Sequence, residues 1–555
     1  MGTVFFYTSL LKRKKSVLLT CYGMPMKKQN LYNDYLLRNT TVSSFFGRPL
    51  TPEWPVLSKQ ITGLPQHPQF IQQVVRQNRN RDDKAVRANL KKMTEKPPVF
   101  VVTGQQPGLF VSPLYIIYKT LTAIRLAETL QKRLPDYCVL PLFWLEGEDH
   151  DYTEVASLRL WGTDNVLHSF TLPEEKGQHG FSMSRRKLPG QIVLMLNEIK
   201  STLPQTKFGD ELFSALNEIY LPGRLWLDAF AGQMHLIFRN SGLLLFNPGD
   251  IEIKKISVPF FERLIVDNTD LVQAYFLQSQ RLKDAGYPLQ VHLRGNLAYI
   301  YLCDQEGRRK HVYREGEGFI LAGKEKKWEK SELIRYLYDR PDRFSSTVLT
   351  RPLWQSWMLP VISYVAGPAE IAYWAMLKEA FTLFDIPMPQ LQPRASFILV
   401  EPAIRRLLQK LALDVDTITQ EKQSFIRQKF KEQADSAAIQ SLHSLKLGME
   451  KEKNELLKAI PQIDDTLSSI VHKTFGRINK NIHTLESKIL KRLEDKQQRL
   501  TARLARIHEH FYPLGKKQER IIGSIYFFNK YGYEWISELK EKIDVENPHS
   551  QTYDL

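Results

Sequence analysis

Cysteine is scarce, with three in 555 residues, at Cys21, Cys138 and Cys303, and no CxxC spacing. That argues against a disulfide framework and a thiolate zinc centre, and it predicts a reducing cytoplasm as the setting. No stretch approaches the roughly 20 apolar residues that a membrane helix needs. Neither GxxxxGK[ST] nor GxGxxG occurs, so the usual phosphate-binding loop and dinucleotide fingerprint are missing. Acidic residues are in deficit, 60 against 77 Lys and Arg, for a formal charge of +17. Such a balance attracts nucleic acid, anionic lipid or anionic small substrates. Much of the excess sits late, in KILKRLEDKQQRLTARLARIHEH. A solvated helix face explains it more simply than nucleic-acid binding does.

A chain of this length implies two to four structural units. Its start, FFYTSLLKRKKSVLLTC, places apolar residues before the basic cluster, the reverse of a secretory signal, and Met24 and Met26 follow. Residues 1–26 are therefore read as an extended leader outside the fold. QFIQQVVRQNRNRDDKAVRANLKKM reads as one polar-faced helix. Val99 to Val102 form a β-branched run suited to a central parallel strand. The turn TGQQPG follows, then helical spacing at Leu114, Ile117, Leu121, Ile124 and Leu130, ending near Pro135. A second apolar run, Val139 to Leu145, ends in EGEDHD. Strand, helix and strand within about fifty residues make a βαβ unit.

In open α/β sheets ligands sit beyond the carboxyl ends of the strands. TGQQPG and EGEDHD both occupy such ends, which predicts one crevice holding Gln105, Gln106, Glu148, Asp149 and His150. Residues 27–155 are read as the first half of the core and 156–340 as insertions. VLHSFTL, LQVHLR, LAYIYLCD and HVYREGEGFIL are expected there as short strands. Residues 341–416 repeat the α/β pattern, with a strand at Val361 to Val365, the turn AGPAE and a helix from Ile371 to Phe384. From 417 to 555 the chain reads as helical. Phe475, Ile478, Ile482, Leu485 and Ile489 alternate steps of three and four, a heptad seam continued by Leu493, Leu500, Leu504, Ile507 and Phe511. An upstream helix with Leu442, Leu445, Met449, Leu456 and Ile460 could fold back on it near Pro461. A stripe this long needs a partner, within the chain or in a second subunit.

Gly104 and Gly108 permit a tight turn and close ligand approach. The helix beyond Ser112 offers backbone N–H groups to an anion. In EGEDHD the carboxylates Glu146, Glu148, Asp149 and Asp151 surround His150, a density that repels itself without a cation nearby. Three uses fit. The motif could bind Mg²⁺ with the triphosphate of ATP, hold a substrate amino group, or supply a general base, His150 first. A polar loop neutralised by local Arg or Lys is the plain alternative. Glu370 and Tyr373 stand at the mouth of the second half, where a glutamate also suits the helix dipole. Arg394 follows a proline-stiffened loop and could meet phosphate or an ordinary salt-bridge partner. FSMSRRK faintly resembles the KMSKS loop of class I aminoacyl-tRNA synthetases but precedes the second half of the sheet and is set aside. Histidines 292, 311, 443 and 483 show no paired metal spacing and are expected to be structural.

VVTGQQPGLFVSPLYIIYK, LPLFWLEGEDHDYTEV, LTRPLWQSWMLPVISYVAGPAEIAYW, MPQLQPRASF and YPLGKKQERIIGSIYFF together resemble the cysteine-adding enzyme family of bacillithiol biosynthesis. The resemblance runs in order from about Tyr32 to Leu539. It implies an α/β fold: a Rossmann-like core related to class I synthetases and nucleotidyltransferases, inserted connecting-peptide domains, and a C-terminal coiled coil pairing two subunits. It implies an ATP-linked ligase joining cysteine to glucosaminyl malate. The site expected from motif and resemblance has His150, Asp149 and Glu148 as catalytic groups. Thr103, Gly104, Gln105, Gln106, Tyr115, Asp151, Glu370, Tyr373 and Arg394 are expected to bind substrate. A nucleotide held outside the core crevice, as family members do, would draw on Arg520 and Asn529. No resident metal site is expected. The chain departs from the family at Ser345-Ser346-Thr347, where Ser-Pro-Asn is usual, and at Glu146, where smaller residues are common. The HIGH-type histidine pair of class I synthetases is replaced by TGQQ.

Overall fold

All side chains but the last along Pro98–Gln105, and every one along Cys138–Leu145, are buried. Strands covered on both faces belong to the middle of a parallel sheet. The computed structural model, which describes residues 30–323, 327–418, 420–433, 437–496, 498–548 and 550–555, places them there. The expected leader and Cys21 lie outside the described residues. Five strands form the core sheet: β1 (Pro98–Gln105), β2 (Cys138–Leu145), β3 (Leu244–Phe246), β4 (Val361–Ala366) and β5 (Gln390–Pro393). All pairs are parallel and the order is β3-β2-β1-β4-β5. The chain winds outward from β1 to one side, then crosses to the other, so the sheet has its switch point between β1 and β4. Ligands of doubly wound sheets settle there.

The helix Tyr115–Arg133 links β1 to β2 and buries twelve of its side chains. Its end agrees with the expected stop before Pro135. The segment 156–340 is not insertion throughout, because β3 lies within it. The four-residue apolar run Leu243 to Phe246 is too short to read as a strand. The insertions on either side are mainly helical, apart from one hairpin and one sheet. The hairpin Ser157–Trp161/Leu167–Thr171 follows β2. After β3 comes an antiparallel sheet built from Leu297–Cys303, Arg309–Glu315, Gly318–Leu321, Lys327–Trp328 and Phe344–Ser346. Phe344–Ser346 thus leaves the expected second core half for the insertion sheet. LQVHLR forms no strand.

QFIQQVVRQNRNRDDKAVRANLKKM is two helices, His67–Asn78 and Lys84–Glu95. The break follows from Asp83, whose carboxylate accepts from the N–H groups of Ala85 and Val86 (2.8 and 3.0 Å) and caps the second helix. The expected helix Ile371 to Phe384 is likewise two short ones, Pro368–Trp374 and Lys378–Leu383.

Ser396–Val400, just past β5, pairs in parallel with Ser550–Asp554 near the C-terminus. Between them the helices Ala437–Ala459 and Leu467–Lys496 form a hairpin, joined through Ile460–Gln462 with Pro461 inside the bend as expected. Lys446 and Glu486 bridge its two arms at 2.8 Å. Ile482 and Leu490 turn inward, but Ile478 and Leu485 remain exposed, as do Leu445 and Leu456 on the other arm. The Leu493 side chain lies outside the described residues. The helix Gln498–Phe511 then buries Leu504, Ile507 and Phe511 against Ile404, Leu408 and Phe425. Among the described residues no helix is long and apolar enough to cross a membrane.

Candidate active site

A cavity of about 600 Å³ opens at the carboxyl ends of β1, β2, β4 and β5, with the insertion sheet as its far wall. Glycine shapes its floor. A Cβ on Gly104 would lie 3.0 Å from both the Trp144 Cβ and carbonyl oxygen, and one on Gly108 only 2.0 Å from the Ser112 oxygen. The turn therefore closes as it does only with glycine at both points. The Gln106 amide donates to Asp149 Oδ2 at 2.6 Å. That bond joins the glutamine turn to the acidic loop, so the two motifs share one floor.

One helical turn beyond Tyr115 stands Lys119, on the same face of its helix and buried. Its ammonium donates to the Gly104 carbonyl (2.6 Å), Gln105 Oε1 (3.3 Å) and Glu370 Oε2 (2.7 Å). Burial holds the lysine below its ordinary pKa, opposed by Glu370. Glu370 also accepts from the Gly367 N–H (2.7 Å) and the Tyr364 hydroxyl (2.8 Å). Burial alone would raise its carboxyl, but Lys119 and these donors prevail and hold it below the usual range. Lys119 so ties the first half of the core to the second.

The acidic loop divides its carboxylates. Glu146 accepts from the Trp144 indole (3.0 Å) and pairs with Arg351 (3.0 Å). Burial pushes its pKa up against the pull of Arg351. Glu148 is buried in an ion pair with Lys254, which also donates to the Phe344 carbonyl (2.7 Å) and lies over the Trp354 ring. Asp149 accepts from Gln106 and from the backbone N–H of His150 (2.6 Å), with Arg309 at 3.7 Å. Burial would raise its carboxyl, but these partners keep it below the usual range. His150 is half-buried, 3.6 Å from Asp149 and edge-on to Tyr301. Burial, then Arg309, lowers its pKa, so the ring is neutral at pH 7.

Gly104, Gln105, Gln106, Tyr115 and Asp149 line the cavity, and so do Glu370, Tyr373 and Arg394. Of the remaining expected residues Arg520 does, and the others do not. Thr103 is buried within the sheet and donates across it to the Val365 carbonyl (3.1 Å). Glu148 is consumed by Lys254, and His150 stands beside the cavity rather than on its wall. Asp151 caps the short helix Tyr152–Val155. Asn529 is buried and donates to the Pro204 carbonyl (2.9 Å), a packing role. Arg520 lines the core cavity rather than a separate nucleotide pocket with Asn529. Arg394 forms a bidentate pair with Glu519 (2.8 and 2.6 Å), to which Ser396 adds its hydroxyl (2.9 Å).

Sequence reasoning overlooked Lys119, Arg351, Arg309 and Tyr301. Lys119 left a signal, a single cation in the otherwise apolar run IIYKTLTAI. Arg309 and Tyr301 left none, because only the folded insertion sheet brings them to the cavity. Arg309 lies 3.8 Å above the Tyr301 ring and bonds Ser345 Oγ (3.0 Å) and the Ser346 carbonyl (2.5 Å). The departure at Ser345-Ser346-Thr347 thus falls where the insertion meets the site. His292 and His311, expected to be structural, line the cavity too. Among the described residues no three His, Cys, Asp or Glu side chains converge as a metal site would need.

Residues 19–395 match the family model described as Bacillithiol biosynthesis BshC, N-terminal Rossmann-like domain, and residues 397–554 match its C-terminal coiled-coil domain. The chain belongs to the BshC family. A relative from Prosthecochloris aestuarii is 30% identical over 476 residues, covering 83% of this chain and 84% of its own. One from Chlorobaculum tepidum is 31% identical over 456 residues, 80% of each chain. One from Bacillus velezensis is 28% identical over 552 residues, 95% of this chain and 98% of its own. All three carry the name "Putative cysteine ligase BshC". The boundary between the two BshC family models falls at residue 396, and the Arg394–Glu519 pair bridges it.

Proposed function

We propose that this chain joins cysteine to glucosaminyl malate through an amide bond, as the last step of bacillithiol biosynthesis, with ATP driving the reaction. The observation that carries the reading is the shared floor made by Gln106 and Asp149 at the switch point of the sheet. A scaffold with a vestigial core has no use for that constellation, so the alternative of a coiled-coil nucleic-acid binder is not favoured. ATP converts the cysteine carboxylate into a mixed anhydride, either an acyl phosphate with release of ADP or an acyl adenylate with release of pyrophosphate. The sugar amine then attacks that carbonyl carbon; the C–N bond forms, the bond to the phosphate oxygen breaks, and the nitrogen sheds a proton. Asp149, ionised on the cavity wall, is assigned as the first acceptor, with neutral His150 next to it outside the lining. Mg²⁺ would enter only with the nucleotide, to neutralise its phosphates; Asp149 is the lining carboxylate that would hold it, and His150 would then take the proton.

The test is direct. Purified protein is incubated with cysteine and glucosaminyl malate, with and without Mg·ATP, and the products are read by mass spectrometry. An amide-linked thiol formed only with ATP, together with ADP or AMP, supports the reading. No product under any nucleotide sinks it. Deleting the gene should make glucosaminyl malate accumulate in a cytoplasm that has lost the thiol.

The same reading includes a homodimer. Ile478, Leu485, Leu445 and Leu456 leave an apolar stripe on the hairpin, which a second copy would cover. Ile478→Lys with Leu485→Lys is expected to halve the mass measured by light scattering at micromolar concentration. A wild-type mass of one chain would refute the dimer.

A further inference from the structure

Most of the charges lining the cavity are already matched internally. Lys119 faces Glu370, Arg351 faces Glu146, Arg309 faces Asp149, and Arg394 faces Glu519. Two cations are left over. Arg294 and Arg520 are exposed residues of the lining, and neither has a carboxylate partner among the described residues. On the acidic side only Glu154 lacks a cation; its carboxylate meets the Gln106 amide. The cavity therefore presents two uncommitted positive charges and one negative charge. A ligand that satisfies all three carries two anionic groups and one cation.

We propose that Arg294 and Arg520 are specificity-determining residues for an amine substrate bearing two carboxylates, and that Glu154 seats its ammonium group. The inference rests on the amide-ligase reading and assigns which residues choose the amine. Placement agrees with it. Glu154 follows β2, and Arg520 stands in the C-terminal segment whose Ile522 carbonyl accepts from the Leu114 N–H (3.3 Å), next to Tyr115 in the lining. Arg294 comes from the insertion and donates to the Tyr313 hydroxyl (3.2 Å). The substrate would be gripped across the cavity, between core and insertion. Burial, then the charges of Asp151 and Asp149, raises the Glu154 pKa; an arriving ammonium offsets that repulsion. Cysteine brings only one carboxylate and cannot engage both arginines. The phosphates of a nucleotide could, so the experiment must separate the two.

Arg294→Gln, Arg520→Gln and Glu154→Gln are assayed with KM measured separately for glucosaminyl malate, cysteine and ATP. Each arginine variant is expected to raise KM for glucosaminyl malate about 10-fold or more, the worth of a charge-assisted contact. KM for cysteine and ATP should stay within about two-fold, and Arg→Lys should restore most of the loss, which a purely structural role would not predict. Glu154→Gln should weaken the amine in the same selective way. Unchanged KM for the amine in both arginine variants overturns the inference, and so does a rise confined to ATP. Calorimetric titration of glucosaminyl malate alone, on wild type and variants, gives a second readout that needs no turnover. If wild type binds the amine and the arginine variants do not, yet no amide ever forms, the ligase reading fails and the binding assignment stands.

Discussion

Lys119→Met is expected to destabilise the Rossmann-like core by about 3 kcal/mol and to abolish turnover, because it leaves Glu370 as a partly buried charge without its cation. The effect is large for three reasons. Lys119 is buried, so water cannot replace it. Glu370 keeps only the Tyr364 hydroxyl and the Gly367 N–H, too little for an ionised carboxylate. The Gly104 carbonyl and Gln105 Oε1 also lose their donor, which releases the glutamine turn. Urea denaturation followed by tryptophan fluorescence measures the cost. Glu370→Gln in the same chain removes the stranded charge and should recover a good part of it, giving a coupling that a double-mutant cycle reads. A single-variant loss below about 1 kcal/mol would mean that this pair does not hold the two halves of the sheet.

Stability should also fall as pH drops from 6.5 toward 4, and His510 is a main cause. Its ring is buried, stacks on Trp161 and meets the Leu399 carbonyl at 2.7 Å. Burial lowers its pKa from 6.5 to about 4, with Glu401 resisting the change. The sign follows from linkage. Below pH 6.5 the unfolded chain takes up a proton that the folded one refuses, so stability is full above 6.5 and is lost on the way down to 4. By pH 5 the loss is about 2 kcal/mol for such a histidine. His67, also lowered to about 4 by burial, adds a similar amount. His510→Gln, which keeps an N–H for Leu399, should flatten the slope between pH 7 and 5 by about half. An unchanged slope would show that His510 is protonated in the folded protein.

The parts of this fold legible in the sequence are those where a local pattern meets its own requirement. β1 and β2 announced themselves as apolar runs because both faces of a central strand are buried. The floor of the site was legible for the same reason: each motif lies at the end of such a strand, and the parallel sheet brings those ends together. β3 was not, since so short a run carries too little pattern. The far wall was not, because Tyr301 and Arg309 owe their place to strand pairing inside an insertion. Nor could the sequence separate Glu148 from Asp149. Two residues of one short motif went to opposite fates, one to Lys254 inside the protein and one to the cavity, and only the packing around them decides that. The heptad seam was half right: Ile482 is buried, but Ile478 and Leu485 are exposed.

The pairing of Ser396–Val400 with Ser550–Asp554 sets an order of events during synthesis. The first strand leaves the ribosome roughly 150 residues before the second, which at about 5–20 residues per second means a wait of about 8–30 s. Throughout that interval a ready-made edge stands open beside the core, able to recruit the wrong strand. Shielding the nascent chain matters most in that window, and trimming the final few residues would make the vulnerability permanent.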